Sequence, residues 1–312
     1  MKINKIHETK HNYNELLKDI ELISVDNDLT DAAIILEGGA FRAFYQEGVL
    51  DCLLKNGLSF KCVIGVSAGA LNGINYYSGQ AGRSAHINLR YRHDKRYIGI
   101  NAFLKSKRKS IINLGFIFSN LPFIPPLNLY KLLNAKGELY AVATKMEDGK
   151  AVYFKNEELS FINAVKASAT LPYISKPIVI NGEHYMDGGC ADRIPYKFAE
   201  SLGYKKIIVV RTRDRGFRCK PNFEKRYRYT KRIYSKYPEF AYNLSKTDEN
   251  YNVLCDELDR LENEGKIFVI APSRELDVKM LEGDLDKLKE IYVLGYVNCL
   301  ENLDKLKDFL NK

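Results

Sequence analysis

The feature that most constrains the fold is the pentapeptide Gly65-Val66-Ser67-Ala68-Gly69. An apolar run at residues 62–64 precedes it and a helical pattern at 70–77 follows it, so Ser67 is predicted to lie on a tight strand-to-helix turn. A serine on such a turn exposes its hydroxyl, as in a nucleophile elbow. Glycine is expected at positions 65 and 69, because a Cβ at either position would crowd that hydroxyl or strain the turn.

Strand and helix patterns alternate around this turn. Residues 33–36 and 61–64 are short apolar runs, and residues 43–55 between them have apolar side chains at helical spacing. This alternation predicts an α/β fold with three layers, in which helices cover both faces of a mostly parallel sheet. Further along we predict a hairpin over 138–154, a helix over 159–169, a hairpin over 177–186 around Asn181-Gly182, a helix over 194–202 and a strand over 206–211.

The last third of the chain has a different pattern. A long charged helix is predicted over 238–264, a strand over 266–270 and a second helical stretch over 284–310 that weakens at Gly295. We therefore expect a helical C-terminal extension that contributes one strand.

Positive charge is concentrated in one part of the chain. The formal net charge of the 312 residues is +9. Residues 204–236 hold thirteen Lys and Arg against Asp214 and Glu224, a net charge of +11, so the rest of the chain is slightly acidic. We expect this stretch to be a solvated face or a surface that attracts anionic lipid headgroups. Nucleic acid is not an expected partner, because no nucleic-acid-binding motif accompanies the charge.

Cysteine usage and the N-terminal sequence indicate the compartment. The six cysteines are scattered, with no C-x-x-C pair and no His/Cys cluster at metal spacing, which predicts free thiols and no structural zinc. The first twenty residues are polar and charged and lack the apolar core of a secretory signal. We therefore expect a cytoplasmic protein.

Residues 110–130 carry no charge over twenty-one positions. Prolines at 122, 125 and 126 argue against a membrane-spanning helix, because their backbone groups would be left unsatisfied in lipid. Two interpretations remain open: a lid that packs over the sheet or lines an apolar pocket, and a contact with the membrane interface. The second is motivated by the basic residues that directly precede the segment, Lys105, Lys107, Arg108 and Lys109.

A serine nucleophile needs a base, and the histidines are poorly placed to supply it. The order Ser, Asp or Glu, His requires a late histidine, and none follows His184. His184 lies three residues before Asp187 in an extended stretch, so the two side chains are expected on opposite faces. The other histidines are expected in a polar tail or on the surface: His7, His11, His86 and His93. Asp187 remains as a candidate base, although Asp-Gly-Gly at a strand end is also an ordinary turn.

Three blocks together resemble the patatin-like phospholipases in sequence, order and spacing. They are LEGGAFRAFYQEGVLD at 36–51, VIGVSAGALNG at 63–73 and YMDGGCADRIPY at 185–196. The resemblance implies a serine acyl hydrolase with a Ser-Asp dyad, in which Ser67 is the nucleophile and Asp187 the general base. It further implies an oxyanion hole at Gly38, Gly39, Ala40 and Arg42, elbow glycines at Gly65 and Gly69, and a base loop with Gly188 and Gly189. No metal or organic cofactor is implied.

The resemblance also suggests a division of the chain. Residues 32–216 would be the patatin-like catalytic domain, with 81–135 as a lid or membrane-contact insert. A polar segment, 1–31, precedes it, and 217–312 would form a basic linker and the helical extension found on small bacterial patatin-like proteins. The expected substrates are phospholipids or lysophospholipids, with peripheral contact to anionic membranes at the inner face.

The chain departs from the family at two positions. Ala40 and Ala43 stand where the family commonly has glycine. If position 40 needs a positive φ, alanine is strained there and its N–H donor is poorly aimed. Two alternatives therefore stay open beside ester hydrolysis: a catalytically weak or inactive lipid-binding protein, and an acyl-thioesterase. Cys190 is expected to be a small buried thiol rather than a nucleophile.

Overall fold

The computed structural model describes residues 13–98 and 112–312. The strands are β1 (Ile23–Ser24), β2 (Leu29–Leu36), β3 (Ser59–Val66), β4 (Gln80–Ala81), β5 (Glu138–Lys145), β6 (Ala151–Lys155), β7 (Ile178–Ile180), β8 (Glu183–Asp187), β9 (Ile207–Val210) and β10 (Ile267–Ile270). The helices are α1 (Tyr13–Leu17), α2 (Phe44–Lys55), α3 (Ala68–Tyr77), α4 (Arg83–Tyr91), α5 (Leu129–Asn134), α6 (Phe161–Ser168), α7 (Tyr196–Ser201), α8 (Phe223–Ile233), α9 (Pro238–Asn263), α10 (Leu285–Glu301) and α11 (Leu303–Asn311). Short 3₁₀ turns cover Ala40–Ala43, Phe116–Phe118 and Gly188–Cys190.

Eight of these strands form one sheet. Its order is β10-β9-β2-β3-β5-β8-β7, and β6 also pairs with β5. Neighbouring strands are parallel from β10 to β5, whereas the pairs that involve β6, β7 and β8 are antiparallel. Leu36 at the end of β2 is in register with Gly65 of β3 and with Val210 of β9. The carboxyl ends of three parallel strands therefore meet at the edge where Ser67 follows β3.

Both faces of the sheet are buried. Ile34 and Leu36 of β2 belong to one apolar cluster, and Ala33 and Ile35 belong to another, as expected from the alternation of side chains along a strand. Helices α2, α3 and α10 contribute to the first cluster, and α7 and α9 contribute to the second. The predicted three-layer α/β/α arrangement with a mostly parallel sheet is confirmed.

The locally encoded elements also match the sequence. The two predicted hairpins are the antiparallel pairs β5–β6 and β7–β8, and the second turns at Asn181-Gly182. The helix predicted over 194–202 is shorter, because it begins only after Pro195.

The expected weakening at Gly295 is wrong. Helix α10 runs through this residue and ends at Glu301, and Asn302 separates it from α11. Gly295 lies where α10 crosses α2: a Cβ on it would be 1.8 Å from the carbonyl oxygen of Tyr45, and a Cβ on Gly48 of α2 would be 1.9 Å from that of Tyr292. These two glycines let the helix backbones touch. We call this contact the α2–α10 seam.

Two buried hydrogen bonds flank the α2–α10 seam. Tyr292 donates to Asp51 Oδ2 over 2.7 Å, and Tyr45 donates to Asn298 Oδ1 over 3.3 Å. A buried polar group needs such a partner, so these hydrogen bonds fix how the two tightly packed helices align. The C-terminal extension is therefore joined to the helix that follows the glycine loop at 38–40.

We predict that Gly295→Ala destabilises the protein by about 2 kcal/mol or more, because the added methyl overlaps a backbone carbonyl that cannot rotate away. The measurement is the urea midpoint of unfolding followed by circular dichroism. Gly216→Ala is the control, since its new Cβ would meet only Asp214 Oδ1 at 3.4 Å. Equal midpoints for the two variants would contradict the tight seam.

The basic stretch 204–236 is not one solvated face. Arg211 has no exposed surface, which corrects the expectation for this part of the chain. Acidic residues of α9 neutralise several of the arginines, so tertiary pairing disperses a patch that is contiguous in sequence. The ion pairs join Arg215 to Glu262, Arg218 to Asp256 and Asp259, and Arg226 to Asp248.

The expectation of a surface histidine is wrong for His86. Its ring is buried where α4 packs near the end of α1, and Nε2 lies 2.6 Å from the carbonyl oxygen of Ile20. Burial lowers the pKa of His86. His93 is exposed, as expected, with Nε2 2.8 Å from the carbonyl oxygen of Gly283. His7 and His11 lie outside the described residues.

The uncharged segment is described from residue 112 onward. It contains the 3₁₀ turn at Phe116–Phe118 and the first residues of α5. Among the residues described, no helix combines the length and the apolar character needed to cross a bilayer. The basic residues that precede the segment, Lys105, Lys107, Arg108 and Lys109, lie outside the described residues.

Candidate active site

Ser67 has a strained backbone conformation at the turn between β3 and α3. Its φ is 57° and its ψ is −124°, a combination that side-chain-bearing residues rarely adopt and that functional sites retain. The flanking glycines allow this turn to pack. A Cβ on Gly65 would lie 2.5 Å from Ala70 Cα, and a Cβ on Gly69 would lie 2.2 Å from the carbonyl oxygen of Leu36. A Cβ at either position would therefore overlap the backbone that surrounds the turn.

The structure brings Ser67 and Asp187 together. Ser67 Oγ donates to Asp187 Oδ2 over 2.6 Å, and both residues are buried, with exposed fractions of 8% and 6%. The backbone N–H of Gly189 donates to the other carboxylate oxygen over 2.8 Å. Both oxygens of the carboxylate are therefore held, one by the candidate nucleophile and one by the loop that follows β8.

The backbone around the pair is equally fixed. Asp187 donates its N–H to the carbonyl oxygen of Thr170, and Thr144 Oγ1 donates to the Asp187 carbonyl over 2.8 Å. Ser67 donates its own N–H to Ser168 Oγ over 2.8 Å. The base loop packs closely against β5 at Gly188. A Cβ at this position would lie 2.1 Å from the Val142 carbonyl oxygen, so only glycine allows this approach.

Burial tunes the carboxyl group of Asp187. Desolvation raises its pKa to about 6, and the hydrogen bonds from Ser67 and Gly189 and the charge of Arg193 lower it by smaller amounts. A carboxylate with a pKa near 6 is a stronger base than a free aspartate and is still ionised at neutral pH. The environment therefore suits Asp187 to proton transfer.

None of the described histidines lines the two cavities that contain Ser67. His184 is exposed, and its Nδ1 lies 3.0 Å from Glu147 Oε1. The histidines of the described residues are therefore not placed to form a Ser-His-Asp triad with Ser67.

The glycine loop passes close to Ser67. A Cβ on Gly38 would lie 2.8 Å from Ser67 Cβ. Within the described residues, no hydrogen bond engages the N–H groups of Gly38, Gly39 or Ala40, so these donors are free for an anion. Ala40 has a φ of 48°, the left-handed conformation in which alanine was expected to be strained.

Three residues that were not predicted from the sequence hold this loop. Thr212 Oγ1 donates to the Gly38 carbonyl over 2.7 Å, and the Thr212 N–H donates to Glu37 Oε2 over 2.6 Å. Tyr251 of α9 donates to Glu37 Oε1 over 2.6 Å. Glu37 adjoins the loop and could have been singled out for that reason, but no pattern in the sequence marks Thr212 or Tyr251.

Ser67 lies where two cavities meet, and Ala40 and Leu171 also line both. The first cavity is mainly apolar. Its wall includes Phe41, Phe44, Leu71 and Ile87, together with Ile112, Leu114, Ile117, Phe118 and Leu127 of the uncharged segment. The described part of 110–130 thus lines an apolar pocket, which favours the first of the two interpretations left open.

The second cavity is rich in arginine. Arg42, Arg193, Arg213 and Arg226 line it, with Glu37, Asp187 and Asp248. Burial, and then the charge of Arg213, lower the pKa of Arg42 to about 10, while Glu37 raises it. Arg42 Nε is buried without a hydrogen-bond partner. Arg42 thus lines this cavity, and its Nε does not brace the glycine loop through a hydrogen bond.

Cys190 is buried, as expected, and burial raises the pKa of its thiol well above the ordinary value. A thiol in this state is a poor nucleophile. In the described part of the chain, no three His, Cys, Asp or Glu side chains are arranged to hold a metal ion.

Comparison with known proteins gives a family match. The model of the patatin-like phospholipase family matches residues 34–199, which include the glycine loop, the elbow and Asp187. The chain belongs to the patatin-like phospholipase family. As a family, these proteins are lipid acyl hydrolases. Residues 237–311 of this patatin-like chain match a second model, DUF6363, which is a domain of unknown function.

Two similar proteins cover most of the chain. The uncharacterized protein YjjU of Escherichia coli strain K12 is 26% identical over 269 residues, which make up 84% of this chain and 74% of YjjU. The crystal structure of VipD from Legionella pneumophila superimposes on this chain with a TM-score of 0.45 and 13% sequence identity. The match covers 92% of this chain and 70% of the VipD chain.

The burial of Asp187 predicts a stability cost that depends on pH. Its pKa is about 6 in the folded protein against an ordinary value of 3.8, so the unfolded chain ionises it more easily. The contribution of Asp187 to the free energy of unfolding therefore falls as the pH rises from about 4 to 6, by about 3 kcal/mol in total. We expect Asp187→Asn to raise the free energy of unfolding by about 1–3 kcal/mol at pH 7.5 and to change it little at pH 4.

The measurement is urea unfolding of wild type and variant at both pH values. The exposed Asp308→Asn is the control and should stay within about 0.5 kcal/mol of wild type. A destabilised Asp187→Asn at pH 7.5 would contradict the desolvation argument.

Proposed function

We propose that the protein is a serine acyl hydrolase that cleaves carboxylic ester bonds of phospholipids or lysophospholipids. The observation that carries the proposal is the 2.6 Å hydrogen bond from Ser67 Oγ to Asp187 Oδ2 at the junction of the apolar cavity and the arginine-lined cavity. The family match supports the same class of reaction.

In the acylation step, Ser67 Oγ attacks the ester carbonyl carbon while its proton moves to Asp187 Oδ2. The hydrogen bond already present defines the path of this proton. The tetrahedral intermediate then expels the alcohol, which takes the proton from Asp187. The product is an acyl-enzyme on Ser67 and a free alcohol that carries the headgroup.

In the deacylation step, Asp187 accepts a proton from a water molecule that attacks the acyl-enzyme. The second tetrahedral intermediate then collapses: its bond to Ser67 Oγ breaks, Asp187 returns the proton to that oxygen, and the fatty acid is released. Asp187 acts as a base and then as an acid in both halves of the cycle, and no further proton acceptor is required.

The negative charge of each tetrahedral intermediate needs fixed donors. The free N–H groups of Gly39 and Ala40 lie in a loop that contacts Ser67, and helix α3 begins directly after Ser67. Each such donor contributes about 2.7–4 kcal/mol to transition-state stabilisation when it is well aimed. We propose Gly38, Gly39 and Ala40 as the oxyanion loop, with Arg42 as a nearby positive charge.

The apolar cavity supports an acyl substrate. Its aromatic and aliphatic wall, with Ser67 at one end, offers a place for a hydrocarbon chain. The same wall would accept an acyl thioester, so thioester cleavage remains the alternative reaction of this site.

We place the protein in the cytoplasm, in peripheral contact with anionic membranes. The exposed face of α8 supports this contact, because it combines apolar or aromatic side chains with positive charge. Exposed residues on this helix are Glu224, Lys225, Arg228, Tyr229, Lys231, Arg232 and Ile233, with four basic side chains against one acidic side chain.

We predict that Ser67→Ala and Asp187→Asn each lower kcat/KM for lysophospholipid and for short-chain esters by at least about 1000-fold, because each removes one half of the dyad. Wild-type kcat/KM should be half-maximal near pH 6, the pKa of Asp187, and level above it. The measurement is fatty-acid release with parallel labelling by a fluorophosphonate probe.

Ser78→Ala serves as the matched control, because it removes a buried serine hydroxyl that lies outside both cavities. Wild-type activity in Ser67→Ala would overturn the mechanism. Lipid binding without any labelling of the wild type would favour the non-catalytic alternative, and preference for acyl thioesters over esters would favour the thioesterase.

Because the backbone at Ala40 is strained, substitution by glycine is predicted to increase both stability and activity. We expect Ala40→Gly to stabilise the protein by about 1 kcal/mol and to raise kcat, because glycine adopts φ 48° without the Cβ clash and relaxes the oxyanion loop. The measurements are the urea midpoint and the rate of short-chain ester hydrolysis. Asn181→Gly, also at positive φ but in the β7–β8 turn, should leave the rate unchanged. A destabilised Ala40→Gly would show that the conformation is not strained.

A further inference from the structure

The arginine-lined cavity collects positive charge from four separate parts of the chain. Arg42 follows the glycine loop, Arg193 follows the base loop, Arg213 follows β9 and Arg226 lies on α8. Three carboxylates share the same cavity: Glu37, Asp187 and Asp248.

The carboxylates are already engaged. Asp248 pairs with Arg193 at 3.0 Å and with Arg226 at 2.9 Å. Glu37 accepts from Thr212 and Tyr251, and Asp187 accepts from Ser67 and Gly189. Across the described residues, neither Arg42 nor Arg213 forms an ion pair with a carboxylate.

One of the two unpaired guanidinium groups, that of Arg213, is held by an aromatic ring. Arg213 lies over the ring of Phe217, with 4.0 Å from its guanidinium carbon to the ring centre. This cation–π contact and partial burial restrict a side chain that would otherwise be mobile. Arg42 is partly buried, with Nε free of partners.

Two guanidinium groups that face one cavity repel each other when water is partly excluded. Burial lowers the pKa of Arg42 most, and the charge of Arg213 lowers it further. An anion bound between them would remove this repulsion. Guanidinium groups bind phosphate oxygens bidentately, which makes phosphate a better match than a single-point anion.

We infer that Arg213, together with Arg42, binds a phosphate group beside Ser67. The inference rests on the proposed function, which sets the orientation of the bound substrate. In that orientation the acyl chain occupies the apolar cavity, the ester lies at Ser67 and the phosphate of the headgroup lies in the arginine-lined cavity. Arg213 is then a specificity-determining residue that selects phosphate-bearing esters over neutral ones.

The test compares two soluble esters with the same short acyl chain, one of glycerol 3-phosphate and one of glycerol. Arg213→Gln should raise KM for the phosphate ester and lower its kcat/KM by roughly tenfold or more, because a charge-assisted contact is lost. For the neutral ester, kcat/KM should change less than twofold. Arg274→Gln is the control: it removes an exposed arginine that pairs with Glu290 and lines neither cavity.

Equal losses for the two esters in Arg213→Gln would overturn the inference, as would the same pattern in Arg274→Gln. Monomeric substrates are used so that binding to a membrane surface does not enter the comparison.

A binding measurement separates this inference from the proposed function. Glycerol 3-phosphate and inorganic phosphate are titrated calorimetrically into Ser67→Ala and into Ser67→Ala/Arg213→Gln. Binding that is weakened roughly tenfold by the second substitution supports the subsite even if neither ester is hydrolysed. Absence of binding in Ser67→Ala overturns the subsite even if ester hydrolysis is established. Tighter binding of glycerol 3-phosphate identifies a headgroup site, and equal binding identifies a site for free phosphate.

Discussion

The carboxylate of Glu37 connects three parts of the molecule around Ser67. It follows β2, accepts the N–H of Thr212 beyond β9 and accepts the hydroxyl of Tyr251 on α9. Thr212 in turn holds the Gly38 carbonyl. A buried carboxylate is stable only when such donors satisfy it, so the ends of two neighbouring strands and the C-terminal extension are tied to one point. The position of the glycine loop depends on that point.

Desolvation links the chemistry of the site to its stability. The same burial that raises the pKa of Asp187 to about 6 makes its ionised form costly in the folded protein. The strained backbone at Ser67 and Ala40 adds to that cost. The surrounding sheet, whose strands β2 and β3 are buried on both faces, compensates for these local losses. A site of this kind requires a large and well-packed scaffold.

The sequence predicted what is encoded locally. The strand–turn–helix at Ser67 and the Asn181-Gly182 hairpin depend on neighbouring residues, so their patterns were readable. The poorly placed histidines left Asp187 as a candidate base for Ser67, 120 residues away, but only the family resemblance implied that the two form a dyad. Burial of Arg211 and the contact of Tyr251 with Glu37 were missed, because tertiary packing decides them. Gly295 was misread as a weak point in the helix for the same reason, because its packing role is visible only against α2.

The α2–α10 seam has a consequence for how the chain behaves as a whole. Two family models divide it into residues 34–199 and 237–311, which suggests two modules. Helices that touch through facing glycines, and a strand, β10, that completes the same sheet, cannot separate without exposing the core of both parts. The two matched regions therefore form one cooperative folding unit. The boundary between the two matched families in the sequence is therefore not a boundary between two domains that could fold on their own.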